Sequence, residues 1–172
     1  MGVSVGGIGS VGISVNHVDA LVDTFAGFDD SNTAITASAL SVNAYSNGRN
    51  TLRSRAGSGS LGGAAVGVES FLNDGTAANR SDTSARIAGT VTLSGQLTVN
   101  ATDVPDNTNT VEGIAVAGSG SVAGVNVDTQ VHHRAWVQVG NSTQVSAATA
   151  TIASRVGDGV SKTAEVDVTS VA

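Results

Sequence analysis

The chain of 172 residues contains no cysteine, which excludes disulfides, thiolate metal sites and thiol nucleophiles. It has one proline, and aromatic residues make up only 3%. Its apolar content is mostly Val and Ala, with some Leu and Ile. Such side chains each bury little area, at about 25 cal/mol per Å². Stability must then come from regular backbone ladders and close packing of small side chains. Charged residues are 13% of the chain, the net charge is −6, and Lys162 is the single lysine. No basic run could neutralise several phosphates, which argues against a nucleic-acid partner. No apolar stretch reaches membrane-spanning length, so membrane insertion is not expected. The uncharged opening, Met1 to Val15, has no basic n-region and is rich in glycine, unlike a signal peptide. Its pattern recurs later, so it reads as the first repeat, cut at its edge, of a longer chain.

What the chain does have is repetition. Ala56-Gly57-Ser58-Gly59-Ser60-Leu61-Gly62-Gly63 returns as Ala117-Gly118-Ser119-Gly120-Ser121-Val122-Ala123-Gly124, 61 residues on, and Gly6 to Gly12 is a looser copy. A second phrase, Leu40-Ser41-Val42-Asn43-Ala44, returns as Leu97-Thr98-Val99-Asn100-Ala101 and as Ala150-Thr151-Ile152-Ala153, at spacings of 57 and 52. Such direct repeats mark a stacked architecture. One repeat-built domain is expected over 1–172, with approximate repeats 1–55, 56–115 and 116–172.

Periodicity is two nearly throughout. Val3, Val5, Gly7, Gly9, Val11, Ile13 and Val15 share one face, as do Ala117, Ser119, Ser121, Ala123, Val125 and Val127. Thr90 to Leu93 and Gln96 to Asn100 alternate apolar residues, expected inward, with Thr and Asn outward. The Ala-rich stretch Ala147 to Ala153 is the only rival for a helix, and its threonines favour a strand. Turns are expected at Asn47-Gly48, Asp74-Gly75, Val104-Pro105-Asp106-Asn107 and Gly157-Asp158-Gly159, with corners at Asp29 to Asn32 and Gly140 to Thr143. Glycines inside strands suit a close approach of neighbouring backbone. The fold class that follows is all-β: a parallel β-solenoid, or β-helix, of about three degenerate repeats. On this reading Gly59 and Gly120 occupy equivalent positions. Gly120→Val should then be far more damaging than Thr98→Val.

The run Ala117 to Thr129, then Arg134-Ala135-Trp136-Val137, then Val139 to Ala147, resembles repeats of very large bacterial surface adhesins. These are the filamentous-haemagglutinin-like and leukotoxin-type filamentous adhesins and related autotransporter passengers. Thr24-Phe25-Ala26 falls near the position of the Trp136 segment, whereas Ser84-Ala85-Arg86-Ile87 lacks the aromatic. The resemblance implies a right-handed parallel β-solenoid stalk, exported across the envelope, with no catalytic residues.

Several constellations invite chemistry. His132-His133-Arg134, with Asp128 and His17 as helpers, is the best candidate metal or catalytic cluster. Adjacent histidines in a strand face opposite ways, however, and could not chelate one ion together. Asp29-Asp30 and Asp103/Asp106 could supply a carboxylate pair for glycoside hydrolysis, but both lie in turn-like sequence. Gly157-Asp158-Gly159 offers one carboxylate for calcium, which wants six to eight oxygens. Thr90/Thr92 and Thr149/Thr151 raise an ice-binding ladder, but not at one constant position. Asn79-Arg80-Ser81, Asn100-Ala101-Thr102 and Asn141-Ser142-Thr143 match the glycosylation sequon, as Asn/Thr-rich strands do by chance. The lone tryptophan, Trp136, reads as a plug of the solenoid core, with a sugar-stacking platform as the alternative.

The expectation is a non-enzymatic structural or adhesive repeat module of an extracellular bacterial filament or stalk. No catalytic, cofactor or metal residues are assigned. Expected partners are a host or cell-surface glycan or protein, neighbouring repeats of a longer chain, or copies associating end to end. The alternatives are a self-assembling filament subunit and a β-helix enzyme acting on polysaccharide.

Overall fold

A computed structural model describes residues 2–76, 78–157 and 165–171. The chain is all-β and winds as a parallel β-solenoid. The first coil is β1 (Gly2–Gly6), β2 (Gly9–Ala20), β3 (Thr24–Gly27), β4 (Ala34–Ala37) and β5 (Leu40–Ser46). The second is β6 (Arg49–Ser60), β7 (Gly63–Asp74), β8 (Ser81–Ile87), β9 (Thr90–Leu93) and β10 (Gln96–Asp103). The third is β11 (Asp106–Ala117), β12 (Gly120–Val131), β13 (His133–Val139), β14 (Gln144–Ser146) and β15 (Thr149–Val156), and β16 (Glu165–Val171) then returns to pair with β11. Like strands stack on like, so the sheets run β1-β6-β11-β16, β2-β7-β12, β3-β8-β13, β4-β9-β14 and β5-β10-β15.

Alternation decides which face is inside. Val91, Leu93, Leu97 and Val99 are buried while Thr90 and Thr92 point out. Ala147 to Ala153 runs into strand β15, not a helix. The interior divides into two apolar lobes. One contains Val42, Ile87, Val91, Leu97 and Val99, and the other Val66, Val68, Val111 and Ala115. Between them, where β7 turns into β8 and β10 into β11, the inward side chains are largely polar. There Ser54 Oγ donates to Ser70 Oγ (2.8 Å), and Ser70 Oγ donates to Asn109 Oδ1 (2.6 Å).

The literal Gly/Ser repeat is not the structural repeat. β6 and β11 are 57 residues apart in register, not 61. Gly59 therefore lies beside Val116, and Gly120 stacks on Gly63. In the third copy the phrase also forms the corner at Gly118-Ser119 instead of continuing one strand through it. Glycine and serine sit on both faces here, so the phrase carries no amphipathic mark to hold its register. The second phrase does keep register from Leu40 to Leu97 and from Ala44 to Ala101. Its third copy is one residue out, since Ala101 pairs with Ser154 and Ala153 with Asn100. Asp106 and Asn107 open β11 and are not part of the Val104-Pro105 corner. Of the turn expected at Gly157-Asp158-Gly159, Asp158 and Gly159 lie outside the described residues.

The first coil is inverted at β1 and β2. Val3, Val5, Val11, Ile13 and Val15 point outward, with Val5 85% exposed. Gly2, Ser4, Gly6, Ser10, Gly12 and Ser14 point inward. Backbone lies against backbone there: a Cβ at Gly12 would strike the Gly57 carbonyl, and Ser10 Oγ lies 2.6 Å from Ser58 Oγ. Gly120 faces open space, with nothing within 4 Å of a Cβ built on it. The expected damage from Gly120→Val is thus reassigned to Gly12. Thr98 points outward, as expected.

Candidate functional site

Strands β3, β8 and β13 present the most functionally suggestive outer face. Register puts Phe25, Ser84 and Trp136 in one column across the three coils. Ala135 and Val137 pack on the apolar lobe, so the residue between them points out. Trp136 is therefore not the core plug that the sequence suggested. Phe25 is 54% exposed, and Ser84 is buried between the two rings. The Arg86 guanidinium bridges the gap above Ser84, at 4.4 Å from the Trp136 ring centroid and 5.5 Å from that of Phe25. Arg134 lies 5.3 Å from the Trp136 ring. Cations over aromatic faces gain from the ring quadrupole.

Carboxylates surround this stack. Arg86 Nη1 donates to Asp29 Oδ2 (3.2 Å). Arg134 holds Asp82 in a bidentate grip, with Nε 2.8 Å from Oδ1 and Nη2 on Oδ2. Hydrogen bonding to Arg134 lowers the Asp82 pKa, and the same bond raises that of Arg134. Asp23 Oδ1 accepts the backbone N–H of Asp82 at 3.1 Å. Together Asp23, Phe25, Asp29, Ser84, Arg86 and Trp136 line a depression of about 380 Å³. A second depression of about 220 Å³, reaching Gln138 and Gly140, shares Asp29 and Arg86 with it.

Within the His132-His133-Arg134 segment, alternation separates His133 from Arg134, while His132 lies in the break between β12 and β13. His133 points inward with its side chain 3% exposed, and Arg134 points out to Asp82. His133 Nδ1 lies 2.6 Å from Asp103 Oδ2. His133 Nε2 lies 2.7 Å from Asp74 Oδ2, an ion-pair contact off the axis of a good hydrogen bond. Asn107 Nδ2 donates to the same Asp74 oxygen (2.9 Å), and Asp103 Oδ1 is buried with no partner. Burial works against charge on this imidazole, but Asp103 and Asp74 together outweigh it and raise its pKa. The carboxylates touch the ring nitrogens directly, leaving no room for an ion between them, and their burial shuts out a substrate.

The other candidates scatter. His17 pairs with Asp19 on the outer face (2.9 Å), with Asn73 beside both. Asp128 accepts from Gln130. Asp30 caps its own turn at the Asn32 N–H. Asp103 is buried, whereas Asp106 pairs with Arg49 on the outside, so the two do not converge. Thr92 stacks with Thr36 and Ser146, and Thr151 with Thr98 and Ser41, which makes no continuous threonine ladder. No match was found between this chain and family models, curated proteins or solved structures.

Sequence reasoning placed Phe25 near the position of Trp136 and gave the lone Trp136 a platform role as the alternative. It missed Asp23, Asp82 and Arg86 as neighbours of that platform, and Asp74 as a partner of His133. The alternation of Ala135-Trp136-Val137 was the signal available for the outward tryptophan.

Proposed function

We propose that the chain is a non-enzymatic structural and adhesive module of an extracellular bacterial surface filament or stalk. The observation that carries this reading is register. Every sheet continues from coil to coil through parallel partners, so length along the axis is what the sequence builds. Outward ion pairs join neighbouring coils at or near register positions: Arg49 with Asp106, Arg55 with Glu112 and Arg134 with Asp82. The buried charged cluster is closed to solvent, which fits a role in holding coils and not in turnover. The resemblance to filamentous adhesin repeats and the lack of cysteine agree with an exported stalk. Glycans or proteins on an opposing surface, and further coils above and below, are the partners this role calls for.

Small-angle scattering of the chain and of its head-to-tail dimer tests the stalk. A stalk keeps its cross-section on duplication and lengthens by about 4.8 Å for each added coil. Two globules side by side, or a cross-section that grows, would contradict it.

A further inference from the structure

The groove on the outer face of β3, β8 and β13 presents a carboxylate acceptor and two aromatic rings to a ligand. Two of its three carboxylates are matched by cations, Asp29 by Arg86 and Asp82 by Arg134. Asp23 has only the Asp82 backbone N–H as a partner and no cation. Beside Asp23, Phe25 and Trp136 stand two strands apart in one column, about 10 Å from each other at the spacing of parallel strands.

Charge narrows the ligand class. An anion would meet Asp23, Asp29 and Asp82, and a cation would meet Arg86 and Arg134. A neutral polyhydroxylated molecule avoids both penalties. Its hydroxyls can donate to Asp23, while its C–H faces lie on the two rings. The 380 Å³ depression is within the usual range for small-ligand sites, and it shares Asp29 and Arg86 with the 220 Å³ one. We propose that this groove binds a short neutral oligosaccharide lying across the Phe25–Ser84–Trp136 column. The proposal deepens the adhesive half of the function above and rests on it. The stalk half is judged by scattering alone, so either can fail without the other.

Trp136 is the chain's only tryptophan, so its emission reports on this groove directly. The chain is titrated with cellotetraose, maltotetraose and N,N′,N″,N‴-tetraacetylchitotetraose as neutral probes. Trigalacturonate and the glucosamine trimer serve as charged controls. The expected result is a saturable change in emission with at least one neutral probe, and affinity at least tenfold weaker for both controls. Phe25→Ala and Asp23→Asn should each weaken that binding at least fivefold with an unchanged melting curve. Asn retains the side-chain oxygen that accepts from the Asp82 N–H, so Asp23→Asn carries the test if Phe25→Ala fails to fold. Silence with all three neutral probes would overturn the proposal. So would tighter binding of a charged control, or undiminished affinity in Asp23→Asn.

Discussion

Both ring nitrogens of His133 face carboxylate oxygens, and a carboxylate can only accept. A neutral imidazole would turn a lone pair toward one of them, so the fold demands the imidazolium. Burial opposes that charge, and Asp103 and Asp74 overcome it, leaving the folded pKa raised. The sign follows from linkage. The stabilisation is complete below the unfolded value, about 6.5, and drains away as pH rises through the raised folded value. Each unit of elevation is worth about 1.4 kcal/mol. Melting temperature should therefore fall as pH rises above about 6.5, and His133→Gln should lose that part of the slope. An unchanged pH dependence in His133→Gln would refute this. Alternation alone showed that His133 and Arg134 face opposite ways. Nothing local showed that His133 meets Asp74 and Asp103, because those partners come from strands of the coil below and are distant in sequence.

At the scale of strands, packing distance differs along the solenoid. β2 lies so close to β6 that Gly12 has no room for a side chain, whereas β12 leaves Gly120 open to solvent. Gly12→Val must move backbone, at a cost of about 1–3 kcal/mol or more. Gly120→Val should stay within about 0.5 kcal/mol. Thermal denaturation of the two variants checks this, and equal losses would mean that β2 and β6 are not in close contact. The sequence made strands such as β9 and β10 plain, because Thr and Val mark opposite faces there. It left the faces of β1 and β2 ambiguous. Val on one side and Gly/Ser on the other would ordinarily put Val inside, and the close backbone approach reverses this. The Phe25–Trp136 column was visible as a rough alignment, but its guanidinium bridge was not, since Arg86 stands in the repeat that lacks the aromatic.

For the whole molecule, the account rests on one geometric claim: coils stacked with β6 and β11 in a 57-residue register. The repeated Gly/Ser phrase argued instead for 61, because glycine and serine phrases recur wherever corners and close contacts are needed, whatever the ladder position. Two cysteine pairs distinguish these registers, and the absence of native cysteine keeps the measurement clean. Gly59 and Val116 are neighbours on the outer face of β6 and β11. Parallel neighbours lie about 4.8 Å apart, within the Cα separation that a disulfide accepts. Gly120, by contrast, belongs to the next sheet, beside Gly63. Mild oxidation followed by non-reducing electrophoresis and peptide mapping should show the Gly59→Cys/Val116→Cys pair closing within the monomer and the Gly59→Cys/Gly120→Cys pair staying reduced. A disulfide in the second pair and none in the first would contradict the register, and with it the solenoid described here.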